Sequence, residues 1–155
     1  MTEKKGCLEN AVRIAAEAHL GQKDKADAPY LLHPLRLMMR MKTETAMIAA
    51  VLHDVVEDGA GNIYTFEFLR ENGFSEEVIN AVDCLTKRDG ETYDEFIERV
   101  KTDEVAIQVK IADIEDNMNL LRIKEPKPED FERLEKYHRA WRKLTSIENL
   151  SNSGA

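Results

Sequence analysis

The stretch AAVLHDVVEDG, residues 49 to 59, sets His53, Asp54, Glu57 and Asp58 against an apolar run. On one continuous helix His53 and Asp54 stand about 100° apart, and the two later acids follow one turn on, so all four share a flank. Three carboxylates this close repel one another and raise each other's pKa unless a cation sits among them. The chemistry they indicate is therefore metal binding. Asp113, in VKIADIEDNM, adds a carboxylate beside an apolar stripe, where an isolated charge is costly to bury. His33 stands at a predicted helix start, after YLL and before Pro34. Together His33, His53, Asp54 and Asp113 offer two imidazoles and two carboxylates from three helices.

Each residue also has a plainer reading. His33 could cap its helix, Asp113 could pair with Lys110 three residues earlier, and Glu57 with Asp58 could be a solvated helix end. Acids at a helix C-terminus oppose the helix dipole, which weakens that last alternative.

The elements that must position these residues are helical throughout, with no alternating strand pattern. Leu8, Val12, Ala15, Ala16 and His19 mark a first helix ending near Gly21. After the polar loop GQKDKADAP, His33-Pro34 opens a second helix reaching about Lys42, with Pro34 in its first turn. Thr43 caps a third, which carries the 49–59 motif to Gly59 and Gly61. TFEFLRENG and SEEVINAVDCLT form two short helices split at Gly73, with Ser75 as N-cap of the second. Thr92 and Glu95 form a capping box for the next. Ile107, Ile111, Ile114, Met118 and Leu121 then make a buried stripe. Past KEPKPED, a long helix carries Phe131, Leu134, Tyr137, His138, Trp141 and Leu144. The fold class is an all-α bundle of about seven to eight helices, one domain over residues 1–150 with a frayed tail at 151–155. His19 and His138 are read as structural.

Composition bounds the function. The net charge of −8 argues against nucleic-acid binding, which needs an excess of Lys and Arg. The charge is uneven, +3 over residues 1–42 and −11 over the remainder, so an anionic ligand is drawn to the N-terminal third. The longest apolar stretches are too short to span a bilayer, and the N-terminus has no signal-peptide pattern, which predicts a cytoplasmic protein without membrane contact. Cys7 and Cys84, far apart and without a CxxC partner, suggest neither a disulfide nor a zinc knuckle.

The order His, His-Asp, Asp on helices resembles the HD-domain metal-dependent phosphohydrolases. AHLGQKDKADAPYLLHPLRL, AAVLHDVVEDG, LTK with YDEFIERV, and VKIADIEDNM are more closely similar to the hydrolase domain of Rel/Spo-type alarmone enzymes and their stand-alone small hydrolases, over about residues 8–123. The resemblance implies an HD-domain bundle with His33, His53, Asp54 and Asp113 as ligands of one metal, usually manganese. Iron(II) or another divalent ion also suits mixed imidazole and carboxylate ligands. Glu57 and Asp58 match the family's catalytic acid pair. Lys23, Lys25, Tyr30 and Asn117 match positions that contact the nucleotide. The implied reaction removes the 3′-pyrophosphate of guanosine tetra- or pentaphosphate. Departures fall at Asp24, inside the basic loop, and at Ile114, Asp116 and Asn119, where the common family pattern ADRLHNMR has arginine, histidine and arginine. These bear on nucleotide recognition, which leaves a nucleoside monophosphate or NADPH as alternative substrates of the same chemistry. A non-catalytic nucleotide-binding module and a purely structural helical protein are the readings from other classes.

Overall fold

A computed structural model describes residues 5–154; Met1–Lys4 and Ala155 lie outside it. Among the described residues there are nine α-helices and no sheet: α1 Leu8–Ala18, α2 Leu32–Met38, α3 Glu44–Leu52, α4 Val55–Asp58, α5 Phe66–Glu71, α6 Glu76–Leu85, α7 Tyr93–Val100, α8 Glu104–Asn117 and α9 Pro128–Ser153. The all-α expectation holds. An isolated antiparallel bridge, Lys23 to Pro29, closes the loop between α1 and α2.

Helix α3 is the axis of the bundle. Ala46, Ile48, Ala49, Ala50, Val51 and Leu52 are all buried, so it is apolar all round, and the alanines let neighbours approach closely. It packs against α1, α2, α6 and α8. Two apolar clusters result. One joins Ile14, Ile48, Leu52, Leu69 and Ile79, the other Leu37, Ala49, Leu85, Ile97, Ile111 and Leu144. Thr43, Thr65, Ser75, Thr92 and Asp103 each accept a backbone N–H at a helix start, fixing where α3, α5, α6, α7 and α8 begin.

The structure corrects several predicted boundaries. The motif helix is not continuous: it breaks at His53-Asp54, which accounts for the ninth helix. His53 Nδ1 donates to the Ala50 carbonyl at 2.7 Å, the acceptor that a continuing helix would offer to the Asp54 amide. Asp54 accordingly takes φ −107° and ψ 0° before the chain resumes as α4. Helix α2 stops at Met38 rather than near Lys42. Leu121, the last member of the predicted stripe, is 96% exposed, because α8 ends at Asn117 and Leu120–Arg122 forms a separate 3-10 turn. Phe131 is likewise exposed. The described end of α9 is at Ser153, whose hydroxyl donates to the Leu150 carbonyl.

Candidate functional site

Helix α2 supplies His33, the α3–α4 break supplies His53, and α8 supplies Asp113. All three are buried, and one ligand atom from each lies within 4.8 Å of the others. The tautomers follow from the partners. The Ala50 carbonyl can only accept, so His53 carries its proton on Nδ1. His33 Nδ1 lies 2.6 Å from an Asp116 oxygen, again an acceptor, so it too is the donor. Both Nε2 atoms therefore face inward, His33 Nε2 at 3.1 Å and His53 Nε2 at 3.9 Å from the same Asp113 oxygen. His53 Nε2 is buried without a hydrogen-bond partner, although Asp54 Oδ2 is only 2.8 Å away. Lone pairs converging in a buried place require a cation. Without a metal, protons serve: burial opposes charge on His33, but the bonds to Asp113 and Asp116 outweigh it and hold its pKa at about 9. His53 is raised against the same burial penalty by Asp54 and Asp113. The donor set fits a divalent ion of the manganese or iron kind.

Asp54 joins the cluster through His53, and the Tyr30 hydroxyl donates to the same oxygen, Oδ2. Burial would raise its pKa, yet His53 lowers it to about 2. Tyr30, predicted to touch the nucleotide, thus braces a predicted metal ligand. Asn117, predicted for the same role, donates to both the carbonyl and the side chain of Asp113, at 3.0 and 2.7 Å. The Asp113–Lys110 pair proposed as the plainer alternative is also present, at 2.7 Å through the second carboxylate oxygen. One oxygen of Asp113 is neutralised by the half-buried lysine and the other is turned to the histidines. The two readings are compatible.

Two cavities meet at this cluster, sharing Tyr30, His33 and Asn117. The larger, about 300 Å³, is lined by Lys23, Lys25, Arg36, Arg122 and Arg133 against Asp24. The smaller, about 180 Å³, is lined by Asp54, Glu57, Asp58 and Asp113 against Lys87 and Lys110. A basic chamber therefore opens beside an acidic one. Glu57 and Asp58 project from the short α4 into the latter, so the acid pair reaches the predicted place despite the helix break. Both are exposed, yet partial desolvation at the cavity wall raises the pKa of each; the Lys87 amide tempers this for Glu57, while nearby Asp58 and Asp54 add to it, and Asp54 adds to it for Asp58. Gly59 ends α4 where a Cβ would meet the Val55 carbonyl oxygen at 2.2 Å and the Tyr64 ring at 2.7 Å, so no larger residue fits this turn.

Sequence reasoning missed several supporting residues. Asp116 appeared there only as a departure, yet it accepts from His33, from Arg36 at 2.8 and 2.9 Å, and from Arg122. The signal was its place three residues after Asp113, on the same face of α8. Asp24 is no free intruder in the basic loop either. It accepts the amides of Ala26 and Ala28 and pairs with Arg122 at 3.2 Å. Lys23 and Lys25 both line the larger cavity, and Lys23 also pairs with Asp27. Gln22 spans His19 and the Asp58 carbonyl, at 2.9 and 2.8 Å, tying α4 to the end of α1. His19 thereby keeps the structural part expected of it. His138 is exposed and stacks on Trp141, away from both cavities.

A helical bundle that gathers His, His-Asp and Asp in this order defines a class, and residues 5–118 match the profile of the HD domain; the chain belongs to the HD-domain family. Among its curated relatives, the guanosine-3′,5′-bis(diphosphate) 3′-pyrophosphohydrolase of Aquifex aeolicus is 33% identical over 127 residues, 74% of this chain and 18% of that protein. The bifunctional (p)ppGpp synthase/hydrolase SpoT of Escherichia coli K12 is 32% identical over 126 residues, again 74% and 18%. A probable GTP pyrophosphokinase of Mycobacterium leprae is 33% identical over 132 residues, 77% of this chain and 16% of that protein. The chain thus spans under a fifth of the length of these relatives. A solved structure of a metazoan ortholog of SpoT, described as hydrolysing ppGpp, shares the fold, with a TM-score of 0.73 over 93% of this chain and 88% of that one at 22% identity.

Proposed function

We propose that this protein is a manganese-dependent phosphohydrolase that removes the 3′-pyrophosphate of guanosine tetra- or pentaphosphate, giving GDP or GTP and pyrophosphate. The observation that carries the reading is the convergence of His33 Nε2, His53 Nε2 and an Asp113 oxygen where a basic chamber meets an acidic one. His33, His53, Asp54 and Asp113 would hold the ion. When bound, it would acidify a coordinated water and stabilise charge developing on the phosphoryl oxygens. The chain's own groups do the rest. Lys23 and Lys25 draw the polyanion into the larger chamber. Tyr30 and Asn117 border both chambers while fixing Asp54 and Asp113. Glu57 and Asp58, whose pKa values are raised by desolvation, orient the water and take its proton. As oxygen adds to phosphorus, the bond to the ribose 3′-oxygen breaks, and that oxygen leaves with a proton. Relatives named for this reaction support the substrate class.

One observation favours a second reading of the substrate. Arg36 and Arg122 are already engaged by Asp116 and Asp24, which lowers the net positive charge of the larger chamber. A less highly charged nucleotide, a nucleoside monophosphate or NADPH, then fits the same chemistry. A panel of guanosine tetraphosphate, nucleoside monophosphates and NADPH, each with manganese, decides. Turnover of a monophosphate or NADPH with none of the tetraphosphate would refute the first assignment.

No helix among the described residues is long and apolar enough to cross a membrane. We infer a cytoplasmic protein whose partner is the small nucleotide rather than a nucleic acid.

A further inference from the structure

Asp116 stands where the common family pattern has a histidine, and nothing in the proposed chemistry uses it. Its side chain is only 11% exposed, and four donors converge on it. Arg36 forks onto both oxygens, at 2.8 and 2.9 Å, which by itself would satisfy a structural ion pair. The shortest contact goes elsewhere, from His33 Nδ1 at 2.6 Å. Because a carboxylate accepts, that bond fixes the ring with its proton on Nδ1 and its Nε2 toward Asp113. Carboxylates placed behind ligating imidazoles in this way set their tautomer and orientation and raise their basicity.

We propose that Asp116 is a positioning residue for the metal site, holding His33 in the orientation and tautomer that presents Nε2 to the ion. This deepens the metal-site reading above and rests on it. It also gives the departure at this position a chemical role. The carboxylate comes from the helix that carries Asp113, one turn later, so α8 contributes both a ligand and the group that aims a second ligand from α2.

The test compares Asp116→Asn with Arg36→Gln in the full chain, by calorimetric titration with manganese chloride alone. Both variants lose the guanidinium fork, but only the first loses the carboxylate behind His33. Asp116→Asn is expected to weaken manganese binding about 10- to 100-fold. Arg36→Gln, which removes a positive charge, is expected to bind no more weakly than wild type. Equal weakening in both, or none in Asp116→Asn, would overturn the proposal. If Asp116→Asn fails to fold, the tautomer is read directly in the wild type from ¹H–¹⁵N spectra of the zinc-loaded protein. A proton on His33 Nδ1 is expected, and one on Nε2 would overturn the assignment. Failure of the parent reading looks different. A wild type that binds manganese in the expected order of variants yet hydrolyses no nucleotide would sink the phosphohydrolase and leave Asp116 in its role, whereas a wild type that binds no manganese would sink both.

Discussion

In the metal-free protein His33 holds a proton up to a pKa of about 9, against an ordinary value of 6.5. A divalent ion must displace that proton, so pH and metal should act on stability together. The folded-state pKa is the higher one. The ring therefore adds stability to the metal-free protein that is fully present below about pH 6.5 and is lost as pH rises through about 9. The metal-loaded protein has no proton there to lose. Its advantage over the metal-free form should grow by about 1.4 kcal/mol per pH unit for one displaced proton, and His53, also raised, can only steepen the slope. Between about pH 6.5 and pH 8 this amounts to roughly 2 kcal/mol, or about 4–8 °C in Tm for a chain of this size. This widening adds to the stabilisation present at the lower pH, about 2.7 kcal/mol for metal at 100 times its Kd. Thermal unfolding followed by circular dichroism, in manganese chloride and in chelator at both pH values, measures it. A Tm difference that is zero, or that stays constant across the range, would refute the ligand geometry inferred for His33.

Three other perturbations address separate parts of the site. Glu57→Gln should lower kcat about 10²- to 10⁴-fold while leaving manganese affinity near wild type, as steady-state kinetics with calorimetry would show. Lys25→Ala should raise KM about tenfold with kcat little changed, the pattern of a group that binds substrate and transition state alike. Leu52→Ala empties a fully buried position immediately before His53 and should cost about 2–5 kcal/mol in urea unfolding; a cost under about 1 kcal/mol would show that α3 is not the rigid axis described.

Much of this was legible in the sequence because helix caps and apolar periodicity are local signals. Thr43, Ser75 and Thr92 cap where they were expected to, and Ile107, Ile111 and Ile114 are buried. The break at His53-Asp54 was not legible, because it depends on a side chain competing with the backbone for the Ala50 carbonyl. Leu121 misled for a related reason: periodicity continues in sequence after the last helical hydrogen bond, from the Met118 amide to the Ile114 carbonyl. At the site, residue types indicated which groups gather, and His33, His53 and Asp113 do meet. They could not reveal what the gathered groups spend their bonds on. Tyr30 and Asn117 hold acids of the cluster, and Asp24 and Asp116 hold arginines across 98 and 80 residues of chain. Such long-range pairings leave no periodic trace.

If the histidines and acids of this site form a metal-dependent phosphohydrolase, guanosine tetraphosphate should be turned over. Purified protein supplied with manganese should release GDP and pyrophosphate in equal amounts, and the reaction should stop in chelator and resume when manganese is restored. Turnover unaffected by chelation, or none of any nucleotide by a protein that binds manganese at His33, His53 and Asp113, would contradict the account.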